Sequence, residues 1–243
     1  MKFSLAKDQR DFFEKHGLLE VEGLISSSQL EVLNSCIQKF MKKQAALEKR
    51  TVASVDPLNY FLAGRDLWRE NPEIKKIIFR KCFSEIASEL NFRAPFRLGS
   101  DQYIPQGFIS NANESLNDGS SFQGVVFGYI ICIKSANLDT KITEISEGLE
   151  NFSLKSPDDS NKPPHPPFSL LPGHVVFIHP DFPIDYSLLT QRRGCEYIFV
   201  TIIKDKSVYF YRESDLQTHY LKKLGYVFGD RIKEETHPVI YRS

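Results

Sequence analysis

Pro172-Gly173-His174-Val175-Val176-Phe177-Ile178-His179-Pro180-Asp181-Phe182-Pro183-Ile184-Asp185-Tyr186-Ser187 is the stretch whose reading decides the fold. Pro-Gly marks a turn, and the apolar run to His179 reads as a short buried strand. His179-Pro180-Asp181 then breaks the run, and a second strand is expected over 185–189. Strand, corner and next strand are the units of a small β-barrel.

Outward from this stretch, the second half of the chain continues in short strands. Apolar and β-branched runs predict strands at 96–104, 123–134 and 196–204, with another at 207–212. Long polar segments lie between them at 105–121 and 155–167. The first third reads differently. Residues 6–15 predict a helix closed by His16-Gly17, and 18–25 a short strand. Ser28 with Glu31 has the capping-box spacing and opens a helix to about residue 49. A further helical region is expected over 72–90 and a terminal helix over 214–223. Helices first and many short strands afterwards predict an α+β protein, a helical layer packed on a barrel. One domain is expected over 1–243: a mainly helical layer at 1–91, a β-barrel core at 92–212, and a C-terminal helix and tail at 213–243.

Composition bounds the function. Lys+Arg and Asp+Glu both number 31 in 243 residues, so no global field steers nucleic acid or an anionic membrane. No nucleic-acid or membrane partner is expected, since the longest apolar run, 125–133, is too short to span a bilayer. Cys36, Cys82, Cys132 and Cys195 form no close pair and read as small core residues. Scattered thiols and the absence of an apolar leader predict a cytoplasmic protein.

Two segments carry a resemblance. Gln9-Arg10-Asp11-Phe12-Phe13-Glu14-Lys15-His16-Gly17-Leu18-Leu19-Glu20-Val21-Glu22-Gly23-Leu24-Ile25-Ser26 resembles the opening of phytanoyl-CoA dioxygenase-like proteins. Residues 172–193 are similar to that family's late barrel strands. The resemblance implies a double-stranded β-helix, also called the jelly-roll or cupin-like fold. Active members of the family bind Fe(II) through two His and one carboxylate, and use 2-oxoglutarate and O₂. Three ligands on one face of the iron leave room for the oxoacid and oxygen.

Carried over by position, the triad is missing. The family's His-x-Asp belongs between the strands at 96–104 and 123–134, where no histidine occurs; Asn111-Ala112-Asn113-Glu114 is the nearest polar group. The distal histidine aligns with Ile184. The oxoacid-binding arginine has counterparts in Arg192 or Arg193, with Tyr197 beside them, although each arginine also reads as a solvated turn residue. The resemblance therefore implies a divergent, non-catalytic member with no cofactor, binding a small carboxylated or acyl ligand or a protein partner.

Two alternatives stay open. One is an active Fe(II)/2-oxoglutarate oxygenase with relocated ligands drawn from His174, His179, Asp181 and Asp185. His174 and His179 are five apart on one strand, which points them to opposite faces. The other is a ligand-free interaction module using the segments 105–121 and 155–167.

Overall fold

The computed structural model describes residues 4–93, 95–108, 113–135, 171–185 and 194–242. Helix α1 (Lys7–His16) stops where Gly17 turns left-handed at φ 77°, and β1 (Leu18–Val21) follows. α2 (Ser27–Leu47) starts two residues before the expected box. Ser26 is its N-cap and Gln29 closes the reciprocal pair, so the motif uses Ser and Gln in place of Ser28 and Glu31. Two short helices not foreseen from the sequence, α3 (Pro57–Ala63) and α4 (Leu67–Glu70), then lead into α5 (Pro72–Ile78) and α6 (Lys81–Glu89).

The strands are β2 (Phe96–Ile104), β3 (Asn113–Ser115), β4 (Phe122–Lys134), β5 (Val175–Ile178), β6 (Pro183–Asp185), β7 (Glu196–Tyr209) and β8 (Val239–Tyr241). They form an antiparallel six-stranded sheet, order β1-β5-β4-β7-β2-β8, faced by the pair β3-β6. This is a double-stranded β-helix with a helical layer on its outer face. The strands expected at 196–204 and 207–212 are one continuous strand. The terminal helix expected over 214–223 is instead a set of turns ending in a 3₁₀ segment, Tyr220–Leu224. Its start is held in a turn because the Asp215 carboxylate accepts from the Gln217 and Ser121 amides. The expected loop at 155–167 lies outside the described residues.

The sheet is buried on both faces, which explains why its strands read as nearly unbroken apolar runs. Phe127, Tyr129, Ile131, Phe177, Ile198 and Val200 pack against the helices, where a fully buried Phe such as Phe127 stabilises by about 1.5–3 kcal/mol. Ile130, Cys132, Val176, Ile178, Tyr197 and Phe199 point the other way, into the barrel. Cys36, Cys132 and Cys195 are buried, and Cys82 is half-buried. No described helix is long and apolar enough to cross a membrane.

One irregularity sets what the barrel wall presents. Leu98 pairs with Ile202, but Ser100 pairs with Thr201, so Gly99 is an extra residue that bulges β2. Leu98 faces the helical layer, whereas Ser100 and Gln102 line the barrel cavity and Ile104 belongs to its core. Asp101 and Tyr103 are thereby turned toward the helices. A Cβ on Gly99 would lie 2.9 Å from Ile203 Cγ2 and 3.0 Å from the Thr201 carbonyl, so the bulge requires glycine.

Asp101 clamps the helical layer. Its carboxylate accepts from the amides of Leu67 (3.1 Å) and Trp68 (3.2 Å), the first turn of α4. Its carbonyl accepts from the Asp66 amide at 2.8 Å. Asp66 has a left-handed φ of 59° and bonds Arg69 Nε at 2.7 Å, while its Oδ1 is buried with no partner among the described residues. Burial, then the charge of Asp66, pushes the Asp101 carboxyl from 3.8 up to about 8. On the tail, burial and the charges of Arg69 and Arg97 hold His237 down from 6.5 to about 3.

Two predictions follow from the bulge and the clamp. Gly99→Ala should lower stability by about 1–3 kcal/mol, because the contacted carbonyl is backbone and cannot swing away; chemical denaturation measures it. The folded state holds the Asp101 proton that the unfolded chain has lost above 3.8, so stability falls as pH rises from 3.8 toward about 8. His237 acts oppositely, costing stability as pH falls from 6.5 toward about 3. Melting curves across pH 4–9 should show the deficit of Asp101→Asn relative to wild type shrinking as pH rises from 4 to about 8 and levelling off above it. A constant deficit would show that Asp101 does not titrate in this window.

Candidate functional site

The bulge places a short polar patch on an otherwise apolar barrel wall. Ser100 and Thr201 are cross-strand partners, and Gln102 lies opposite Phe199. All four line a cavity of about 60 Å³ at the barrel mouth. Phe61 and Phe108, stacked at 4.0 Å with rings 5° apart, line it, as does Leu116. Residues 214–216 form part of the rim. Ser100 and Thr201 are each only 6% exposed, and neither hydroxyl has a hydrogen-bond partner among the described residues. Hydroxyls that line the cavity without a bond to another described residue are donors and acceptors available to a ligand or water.

Arg65, from the turn between α3 and α4, is the one cation among the described residues that line this cavity. Its Nε donates to Gln102 Oε1 at 3.0 Å, and one terminal nitrogen reaches Asp215 Oδ1 at 3.2 Å. Gln102 is itself fixed, donating to the Phe61 carbonyl at 2.7 Å and accepting from Gln217 Nε2 at 2.8 Å. The guanidinium is thus oriented from two sides with little freedom to lose on binding. Its other terminal nitrogen bonds none of these groups. Rigid presentation of a guanidinium beside two hydroxyls suits a small oxyanion.

The residues singled out from the sequence fall elsewhere. Arg192 and Arg193 lie outside the described residues. Tyr197 is fully buried within the barrel, opposite Ile104 and Cys132. His174 Nδ1 contacts Glu20 at 2.8 Å across the β1 edge. His179 and Asp181 line an outer groove of about 600 Å³ with Phe13 and Phe92, where burial lowers the His179 pKa and nearby Asp181 raises it. Asp185 pairs with Asn113 at the end of β6. His174, His179 and Asp181 are therefore not brought together inside the barrel.

Ile184, on β6, where the resemblance places the distal histidine, is buried in the barrel core together with Leu116, just past β3. Of Asn111-Ala112-Asn113-Glu114 in the other window, the first two lie outside the described residues, and Asn113 and Glu114 pair along β6 with Asp185 and Ile184. Leu116 occupies the space over Gly128, where an added Cβ would lie 2.8 Å from both Leu116 Cδ1 and Phe199 Cε2. Among the described residues no group of three His, Cys, Asp or Glu side chains is placed to hold a metal, so they do not fit an iron triad. Arg65, Ser100, Thr201 and Asp215 were missed from the sequence. Ser100 and Gln102 stand in a segment of mixed character that also holds Arg97 and Asp101, and only the bulge shows that they face the cavity while Leu98 does not.

No protein-family model and no curated protein matches the chain. Solved structures do. The non-heme alpha ketoglutarate dependent carbocyclase SnoK from nogalamycin biosynthesis is 15% identical, with a TM-score of 0.63 over 98% of this chain and 97% of its own. The epimerase SnoN of the same pathway is 11% identical, TM-score 0.59, covering 97% and 98%. HygX from Streptomyces hygroscopicus is 14% identical, TM-score 0.51, covering 94% and 98%. The expectation of no cofactor is overturned by these neighbours: a SnoN structure contains Fe³⁺ and alpha ketoglutarate, and the HygX structure contains nickel and 2-oxoglutarate. At these identities the likeness is one of fold. The chain has the double-stranded β-helix fold of non-heme iron, 2-oxoglutarate-dependent enzymes.

Proposed function

We propose that this protein is a divergent relative of the phytanoyl-CoA dioxygenase-like group that uses its barrel mouth to bind a small carboxylated ligand. The observation that carries the reading is the triangle of Arg65, Ser100 and Thr201. One oriented guanidinium and two hydroxyls with no hydrogen-bond partner among the described residues share one small cavity. Their chemistry matches a carboxylate, which accepts hydrogen bonds only and gains most from a charged donor. The stacked Phe61 and Phe108 give the ligand's carbon end an apolar wall.

Arg192 and Arg193 are the second candidates for the carboxylate contact, as the resemblance implies, with Tyr197 next to them in the sequence. Single substitutions separate the two sets. Ligand-observed NMR with a panel of sodium carboxylates should detect binding to the wild type, and Arg65→Met should weaken it by about tenfold to a hundredfold, the value of one charge-assisted hydrogen bond. Loss of binding in Arg192→Met or Arg193→Met, with Arg65→Met unaffected, would move the site to the start of β7. No binding by any carboxylate would overturn the proposal.

A further inference from the structure

The dimensions and charges of the mouth cavity define which carboxylates it takes, an inference that rests on the carboxylate-binding reading above. We infer that the ligand is a short monocarboxylate of about two to four carbons, its head on Arg65, Ser100 and Thr201 and its tail against Phe61 and Phe108; one water-sized group takes roughly 10–15 Å³ of such a cavity. A cavity of about 60 Å³ therefore accommodates four to six non-hydrogen atoms, by that measure roughly. The carboxylate is three of them.

Charge selects against a second acidic group. Arg65 is the one cation among the described lining residues, and its partner Asp215 is the one carboxylate. Asp215 is 5% exposed and already accepts from Arg65, the Gln217 amide and the Ser121 amide. A dicarboxylate that placed one end on Arg65 would find no second cation among the described lining residues, only Asp215, the apolar Phe61, Phe108 and Leu116, and the hydroxyls of Ser115, Ser120 and Ser214, already hydrogen-bonded to Asp118 and the Phe122 amide. Like charges at short range and an unpaired charge on an apolar wall both disfavour binding. An ammonium in place of the tail finds one oppositely charged partner among the described lining residues, Asp215, whose oxygens are held by three donors. An apolar tail meets the aromatic pair without any such conflict.

The cross-strand pair supplies the head's remaining bonds. Ser100 and Thr201 are directly opposite on β2 and β7, and both hydroxyls rotate freely to donate toward one oxyanion. Thr201→Val keeps the side-chain shape and removes only the hydroxyl, so it separates hydrogen bonding from packing.

The test is a calorimetric titration of the full chain with acetate, propanoate, butanoate, hexanoate, succinate, 2-oxoglutarate and glycine, at fixed ionic strength. Propanoate or butanoate should bind tightest, with succinate, 2-oxoglutarate and glycine weaker by about tenfold or more, the factor that corresponds to 1.4 kcal/mol. Thr201→Val and Ser100→Ala should each weaken propanoate by about tenfold, as for a hydrogen bond to a charged acceptor, at unchanged melting temperature. Ser100→Thr, which adds one methyl to the wall, should move the preference toward acetate and keeps the test open if either other variant is unstable. Tighter binding of succinate, 2-oxoglutarate, hexanoate or glycine, abolished by Arg65→Met, would overturn the short-monocarboxylate inference and leave the carboxylate reading standing. Absence of binding by every compound would overturn both.

Discussion

The extra residue at Gly99 is the constraint from which the rest of the architecture follows. A regular strand would present Leu98, Ser100 and Gln102 on one face, placing hydroxyl and amide groups in the same layer as a leucine that packs against the helices. The bulge reverses the alternation at one position. Asp101 then meets the amides of Leu67 and Trp68, and Ser100 and Gln102 meet the barrel lumen. Two unrelated tasks, docking the helical layer and polarising the barrel mouth, are thus performed by three consecutive residues. Glycine is required because a Cβ there would run into the Thr201 carbonyl.

The barrel has an apolar part and a polar part, and Leu116 and Phe199 border both. Leu116, Ile184 and Phe199 fill the apolar part, Leu116 and Phe199 packing against the bare backbone of Gly128. At the mouth, the Arg65–Asp215 pair is shielded from solvent, with side-chain exposures of 14% and 4%. An isolated pair so buried gains little net stability from Coulomb attraction, because desolvation opposes it. Its extra hydrogen bonds to Gln102, Gln217 and Ser121 offset that cost, and they hold the guanidinium in one orientation. The pair is better understood as a fixture for Arg65 than as a source of stability.

The elements with strong periodicity or clean termination were legible in the sequence. The 96–104 strand is found with those bounds, and His16-Gly17 ends α1 as expected. The doubly buried strand expected at 123–134 starts one residue earlier. Where one signal had two local solutions, the reading slipped: Ser26 with Gln29 outcompeted Ser28 with Glu31. The terminal helix failed for a tertiary reason, since Asp215 and Thr218 turn toward Ser121 and leave the helical pattern unused. The candidate site was the least legible part. Arg65 and Asp215 are 150 positions apart, and no local pattern announces a contact at that separation. A bulge of one glycine also inverts the faces of a strand without changing its composition. The absence of a histidine at Ile184 was plain from the sequence; that it did not settle the cofactor question became plain only beside solved neighbours.

The segment Ser100-Asp101-Gln102 has one more consequence. Its odd and even members belong to two compartments, so the backbone between them is the partition itself. Ser100 lines the cavity while the adjacent Asp101 holds the amides of Asp66, Leu67 and Trp68, and Arg65, one residue before Asp66, returns to the same cavity. The lumen wall and the anchor of α4 thus share a single peptide unit, with no loop between them.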